Sequence, residues 1–432
     1  MIYLLYDILL WVALAGIIPY HLYRSASRGR RAAFAERFGS LPRESVAAME
    51  GKEIVWVHAV SVGETMAAKP LLKALRQRFP EKKIVLSSVT ETGRSIGEKL
   101  PEVDLCIYLP FDYRFAVRRV LQALRPSLVV IVETEIWPNF LRTAAEMGIP
   151  TVMVNGRISD RSFGRYMKLS WFFRPVLAKF TALCMQTGED ARRIIAIGAD
   201  PARVHVTKNL KYDLPSSLLS PEQRSLLKKE FLIPGTLPVL TAGSTHAGEE
   251  EMVLAAYRAI LAAGHDCLLV LVPRHPERAG QVGDLLQKEG IPFSLRSRLV
   301  SRGTDFRAGE TLVVDTVGEL MSIYSISDLV FVGGSLVPTG GHNVLEPAAL
   351  GVPVVFGPHM SNFREIAAMI LESGGGIQVQ DGGELTSVLN DLMADDGQRA
   401  TMGRQGVALM EENRGATDRH MEIIAALLTS SH

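Results

Sequence analysis

This chain of 432 residues is poor in cysteine and nearly balanced in charge. Its three cysteines, Cys106, Cys184 and Cys267, stand far apart with no CxxC pair. That spacing excludes a disulfide framework and a zinc ribbon, and reads as reduced, buried thiols in a cytosolic compartment. Lys and Arg total 47 against 46 Asp and Glu, a net charge of +1. The near balance removes the electrostatic footprint of a nucleic-acid binder, so no nucleic-acid partner is expected. Neither half has G-x-G-x-x-G after its first apolar run, so the dinucleotide fingerprint is missing. There is no short repeat, no low-complexity tract and no spaced His/Asp/Glu set that predicts a metal. What is present is apolar content of 47%, enough for sizeable cores, on a chain long enough for two or three domains.

The N-terminus carries the one long apolar run, from Met1 to about Ile18, broken only by Asp7. About 20 helical residues cross a bilayer's hydrocarbon core. Arg24, Arg28, Arg30, Arg31 and Arg37 follow and predict a cytoplasmic flank. A basic segment before the run and a small-residue cleavage site are both lacking, so an uncleaved anchor over residues 1–23 is expected rather than a signal peptide. A buried globular helix is the other reading, and Asp7 counts against a full span.

From Glu53 onward apolar runs of strand length alternate with amphipathic segments. Strands are predicted at Ile54–His58, Ile84–Val89, Leu105–Leu109, Leu128–Val132, Thr151–Asn155, Ala182–Gln186 and Val204–Thr207. Between them Leu72, Leu75 and Phe79 share one helix face, as do Ala116, Val120 and Leu124. The alternation stops at Lys211–Pro238, which has four prolines and no strand. It restarts at Val239–Ala242, Cys267–Val272, Leu312–Asp315, Leu329–Val332 and Val354–Phe356, and ends in helices from Leu385 to Leu428. The expectation is an α/β chain of two doubly wound Rossmann-like domains facing a cleft. The divisions are residues 24–211, a linker at 212–237, and 238–432 with the terminal helices.

Ligands of open α/β sheets bind at strand carboxyl ends, and six stretches there carry chemistry. In "VHAVSVGET" (His58–Thr65), Ser61-x-x-Glu64 fits a capping box, and Glu64 also fits a carboxylate facing a site. The two readings are compatible. The helix terminus favours an ionised Glu64, which weakens it as a base. In "VIVETEIWPN" (Val130–Asn139), strand periodicity puts Glu133 and Glu135 on one face, the alternative being that the turn has already started, and Pro138 opens a helix. In "VTKNLKYD" (Val206–Asp213), Lys208 and Lys211 are either solvated lysines or cations facing an anion. In "LTAGSTHAGEEE" (Leu240–Glu251), Ser244 and Thr245 precede an acidic helix, as anion ligands or, for Ser244, as an N-cap. In "LVPRHPER" (Leu271–Arg278), Arg274 suits bidentate contact with phosphate or carboxylate, beside His275.

The sixth stretch is "FVGGSLVPTGGHNVLEPAALGVPVVFGP" (Phe331–Pro358). Gly333-Gly334-Ser335 turns the chain, and Gly340-Gly341 permits close backbone approach. Asn343 predicts an N-cap, Glu346 lies on the first turn, and Gly351 closes a helix of about two turns. A glycine loop before a helix suits a phosphate, with Glu346 facing ribose hydroxyls.

The ordered set "SVGE", "ETEIWPN", "NLKYD", "PRHPER", "VGEL" and "GGSLVPTGGHNVLEP" resembles the bacterial 3-deoxy-D-manno-octulosonic acid (Kdo) transferases, which are GT-B glycosyltransferases. The resemblance runs from the apolar N-terminus to the C-terminal helices. It implies inverting transfer of Kdo from CMP-Kdo to a tetra-acylated lipid A precursor in lipopolysaccharide core synthesis. It implies Glu64 as general base, with Glu133 and Lys211 supporting the transition state. CMP binding would fall on Arg274, His275, Val317, Gly318, Glu319, Asn343, Val344, Leu345 and Glu346. Ser244, Thr245, Gly333, Gly334, Ser335, Gly340 and Gly341 form a candidate donor loop. No cofactor and no metal are expected, since the nucleotide already activates the sugar. The implied setting is the cytoplasmic side of the inner membrane, with Arg28, Arg30 and Arg31 near lipid phosphates. Rival readings are another GT-B transferase or a sugar-nucleotide epimerase using a UDP-sugar, and a tethered binding module without turnover.

Overall fold

Uninterrupted apolar runs become strands buried on both faces. The computed structural model describes residues 2–14, 33–213 and 218–429. Its first sheet is built from β1 (Ile54–His58), β2 (Lys83–Ser88), β3 (Leu105–Tyr108), β4 (Leu128–Val132), β5 (Thr151–Gly156), β6 (Ala182–Met185) and β7 (Val204–Val206). The order is β3-β2-β1-β4-β5-β6-β7, and every described pairing is parallel. The second sheet holds β8 (Val239–Thr245), β9 (Leu268–Pro273), β10 (Phe293–Leu295), β11 (Thr311–Val313), β12 (Leu329–Val332), β13 (Val354–Phe356) and β14 (Gly376–Gln378). Its order is β10-β11-β9-β8-β12-β13-β14, again parallel throughout.

Helices cover the faces with the stripes that the spacing predicts. The helix Arg114–Leu124 buries Ala116, Val117, Val120, Leu121 and Leu124. Val62–Arg78 buries Leu71, Leu72 and Leu75. Each such valine or leucine contributes about 1.5–3 kcal/mol by leaving water. In both sheets the chain completes one side, the second placing β10 at the edge before β11 fills the gap, then returns to start the other. These reversals, between β1 and β4 and between β8 and β12, are where doubly wound sheets open a crevice.

The compact units differ from the expected divisions. The first comprises residues up to Asp213 together with those from Arg414 on, and the second is Leu214–Asn413. The C-terminal helix Ala416–Thr429 belongs to the first because its apolar face (Met421, Ile424, Leu428) joins the core of β1, β4 and β5. The expected linker contains the helix Pro221–Glu230, opened by a Ser220/Gln223 capping box and packed within the second unit. Pro221 sits at helix N1 and Pro234 opens a turn closed by Leu237 N–H, positions where no proline N–H is needed.

The N-terminal expectation is corrected in part. Residues 2–14 are helical, about 20 Å at 1.5 Å per residue, against a hydrocarbon core of about 30 Å. No helix among the described residues is long and apolar enough to cross a membrane. One face of this helix lies against the first unit. Tyr6 Oη donates to Asp112 Oδ2 at 2.8 Å, and Tyr113 Oη donates to Leu10 O at 2.7 Å. Asn139 Nδ2 donates to Asp7 Oδ1 at 2.6 Å, so the one charge in the run is a docking group. The other face leaves Leu4, Leu5, Ile8, Leu9, Trp11 and Val12 exposed. The rest of the anchor prediction, residues 15–23, and Arg24, Arg28, Arg30 and Arg31 lie outside the described residues. Arg37 is part of the fold: it donates to Val89 O at 2.7 Å and stacks on Tyr108.

Candidate active site

Backbone strain collects at strand carboxyl ends. Glu133 (φ 61°) follows β4, Asn155 (φ 56°) is the penultimate residue of β5, Lys208 (φ 67°) follows β7 and Ser244 (φ 57°) is the penultimate residue of β8. Left-handed backbone is uncommon for non-glycine residues, and such outliers cluster at working sites. Asn155 and Ser244 each coincide with a register shift in their strand, a device that re-aims neighbouring groups.

Glu64 sits at the start of the helix Val62–Arg78, behind the N-cap Ser61. The capping expectation holds in a modified form. Glu64 N–H donates to Ser61 Oγ at 3.4 Å, while the carboxylate receives Val60 N–H at 2.7 Å and Ser61 Oγ–H at 3.0 Å. The return bond reaches Val60 rather than Ser61. The expected ionisation is reversed: burial pushes the carboxyl up to about 7, Glu133 adds to the rise, and the Val60 N–H opposes it. Desolvation outweighs the helix terminus here. A base poised near 7 is matched to neutral pH.

Glu133 lies just past β4, already in the turn, so Glu133 and Glu135 do not share a strand face as the period of two implies. Lys211 rides on the one-turn 3-10 segment Leu210–Tyr212, where its Nζ stands 3.8 Å from Glu133 Oε1. Glu135, read in the motif but not placed among the site residues, is pushed up to about 7 by burial and then by Glu64 and Glu133. Thus Glu64, Glu133, Glu135 and Lys211 interact at the β1/β4 reversal, while Lys208 supplies a strained turn.

The second unit answers why the Phe331–Pro358 loop needs its glycines. Fully buried Glu249 accepts the N–H groups of Gly334 (2.7 Å), Ser335 (3.0 Å), Leu336 (2.9 Å) and His246 (2.9 Å). Those amides are therefore held by an internal carboxylate, a residue that the motif reading missed. Other glycines allow chain to cross chain. A Cβ on Gly333 would stand 2.7 Å from Ser244 O, and one on Gly357 2.3 Å from Ser335 O. At Gly340 (φ 101°) and Gly341 (φ 76°) it would strike Asn362 and Met360. Ser244 is not the N-cap, because Gly248 is, and Thr245 Oγ1 donates to Glu250 Oε1 at 2.9 Å.

The remaining donor-side residues lie at neighbouring strand ends. Arg274 and His275 follow β9 and are exposed, and Arg274 N–H donates to Thr245 O at 3.0 Å. Val317 is 85% exposed, Gly318 has φ 94°, and Glu319 receives Arg296 Nη2 at 2.7 Å. The helix after Asn343 is shorter than expected, Leu345–Ala349, with its C-cap Leu350 followed by left-handed Gly351 (φ 71°). Buried Val344 takes the N-cap position expected for Asn343, whose Oδ1 accepts Leu345 N–H at 3.2 Å from one residue earlier. Burial raises the Glu346 carboxyl, with Asn343 and Arg274 opposing. Two residues here had no sequence signal beyond lying in glycine-rich runs. His246 and His342 stack in parallel with their Nε2 atoms 2.9 Å apart. Burial pushes His342 down to about 4, and Arg274, His246 and His275 add to the fall. The imidazole is thereby kept neutral, so the fixed positive charge beside it that suits an anion is the exposed guanidinium of Arg274. Among the described residues no group of three or more His, Cys, Asp or Glu could hold a metal.

Known proteins can now be set beside this geometry. The profile of the family described as "3-Deoxy-D-manno-octulosonic-acid transferase (kdotransferase)" matches residues 32–214. A 3-deoxy-D-manno-octulosonic acid transferase of Haemophilus influenzae is 36% identical over 406 residues, 92% of each chain. The enzyme of that name from Bordetella pertussis is 32% identical over 96% of this chain and 97% of its own. Among solved structures, a glycosyltransferase from Rickettsia africae is similar at a TM-score of 0.54 and 12% identity, covering 88% of this chain and 99% of that one. This last likeness concerns the GT-B-like fold alone.

Proposed function

This chain belongs to the 3-deoxy-D-manno-octulosonic acid transferase family, and from that premise we propose that it transfers Kdo from CMP-Kdo to a tetra-acylated lipid A precursor with inversion. Glu64 takes the proton from the acceptor hydroxyl as that oxygen forms its bond to the anomeric carbon. The bond from that carbon to the CMP phosphate oxygen breaks on the opposite face, and the phosphate keeps the electron pair. Lys211 and Glu133 support the charge that develops. The observation that carries this reading is a half-buried carboxylate, pushed up to about 7, at the β1/β4 reversal, with a lysine–glutamate pair beside it.

The donor is assigned to the second unit. Arg274 and His275 face its anionic groups, the turn at Val317–Glu319 and the segment Asn343–Glu346 hold the nucleoside, and Ser244, Thr245 and the glycine loop shape the floor. For the acceptor, the exposed apolar face of residues 2–14 rests on a membrane surface. In this reading the enzyme rides on the inner membrane by an interfacial helix, with the catalytic units on the cytoplasmic side; the exposed apolar face of residues 2–14 supports it.

The test is incubation with CMP-Kdo, generated in situ, and the tetra-acylated precursor, with products read by mass spectrometry. A gain of one or more Kdo masses supports the proposal. A folded protein that binds CMP yet adds no Kdo, or that accepts a UDP-sugar instead, refutes it.

A further inference from the structure

The geometry points to the C-terminal helix Ala416–Thr429 as a positioning element of the Glu64–Glu133–Lys211 centre, acting through His420 and Asn155; this rests on the function proposed above. His420 is fully buried, and its bonds fix its tautomer. Asn155 N–H donates to His420 Nε2 at 3.0 Å, so Nε2 carries no proton. The proton is therefore on Nδ1, which donates to Ala416 O at 2.7 Å. Thr207 Oγ1 also approaches Nε2 at 3.0 Å. A neutral imidazole thus holds both the end of β5 and the turn after β7.

Asn155 passes this constraint to Lys211 by two routes. Its Oδ1 accepts Leu210 N–H at 3.0 Å, one residue from the lysine. Its carbonyl accepts Gln186 Nε2 at 3.0 Å, Gln186 Oε1 accepts Asn209 Nδ2 at 2.9 Å, and Asn209 Oδ1 accepts Lys211 N–H at 3.0 Å. The far side of the turn is tied back as well, since Asp213 accepts Gly415 N–H at 2.8 Å and also Thr417 N–H. The segment 207–213 is thereby clamped between β5 and the C-terminal helix.

Fold stability alone does not call for this arrangement. Met421, Ile424 and Leu428 already seat the helix by apolar burial. Asn155 carries two penalties that a purely structural residue avoids: left-handed backbone, and a buried Nδ2 with no partner. An unmet buried donor costs about 1–3 kcal/mol. Such penalties persist where geometry is held for a purpose.

The test uses the full chain and three variants: His420→Leu, His420→Gln and Asn155→Gly. Leucine removes the acceptor, glutamine keeps one near the Nε2 position, and glycine keeps the left-handed backbone while losing only the link to Leu210. His420→Leu and Asn155→Gly should each lower kcat about 10- to 100-fold, with KM for CMP-Kdo within about twofold. His420→Gln should recover most of kcat. Hydrogen exchange at the Leu210 and Lys211 amides should quicken in the two damaging variants, a readout that needs no turnover. If the wild type transfers no Kdo, the function fails and exchange alone decides the clamp. Unchanged kcat in Asn155→Gly, equal losses in His420→Leu and His420→Gln, or unchanged exchange overturns the positioning role.

Discussion

The placement of Glu64 predicts where the pH dependence of transfer must lie. With its carboxyl pushed up to about 7 by burial, roughly one tenth is ionised at pH 6 and nine tenths at pH 8. Only the ionised form can take the acceptor's proton, so single-turnover rates should rise about tenfold between those values. A glutamate at its ordinary value would be almost fully ionised at pH 6 and give a flat profile. Glu135 provides an internal control, because the charge on Glu64 helps keep Glu135 protonated, the repulsion is mutual, and the two carboxyls, each raised to about 7, titrate as a coupled set. Glu135→Gln should move the acid limb to lower pH. Stability should follow the same carboxyls. Their folded pKa values lie above the unfolded ones, so stability is lost as pH rises from about 4.5 to about 7 and is level beyond. Glu135→Gln should therefore gain about 1–2 kcal/mol at pH 8 relative to wild type, allowing for solvent screening. The assay is rapid-quench transfer at saturating donor and acceptor from pH 5 to 9, beside thermal melts in the same buffers. A flat rate between pH 6 and 8, or a limb unmoved by Glu135→Gln, would refute the reasoning.

Other predictions concern the supporting residues. Glu249→Gln sets an amide N–H₂ against backbone donors and forfeits charge-assisted bonds, so it should lose about 2–4 kcal/mol in melts and weaken CMP binding by titration calorimetry. Gly357→Ala places a methyl 2.3 Å from Ser335 O, where backbone cannot yield, and should lower stability by about 1–3 kcal/mol in denaturant unfolding. Lys211→Met should reduce kcat with little change in CMP affinity, and an equal loss in both would move Lys211 to the nucleotide. Glu346→Ala should weaken CMP binding; unchanged affinity would leave Glu346 a structural partner of Asn343.

Much of the fold is legible because parallel strands are apolar on both faces. β1, β4, β12 and β13 match their predicted ranges residue for residue. β10 and β14 were missed because three-residue edge strands, only partly buried, lack a continuous apolar run. The C-terminal helix reads correctly as a helix, yet its return to the first unit depends on what Met421, Ile424 and Leu428 meet, and periodicity is silent on that. At the site, residue identities are visible in the motifs, but their protonation is not. Glu64 reads as an ionised cap until its burial is known. The glycine loop reads as a ligand cradle until Glu249, 85 residues from Gly334, is seen to occupy the amides. His246 and His342 are separated by 96 residues, and only folding stacks them.

The most direct test of the account is Glu64→Gln in the CMP-Kdo transfer assay, with CMP affinity measured on the same preparation. Glutamine can still accept the Val60 N–H and cap the helix, but it cannot take a proton. The account predicts transfer reduced about 10²- to 10⁴-fold with CMP binding unchanged. Wild-type turnover in that variant would contradict it and leave Glu64 as a helix cap.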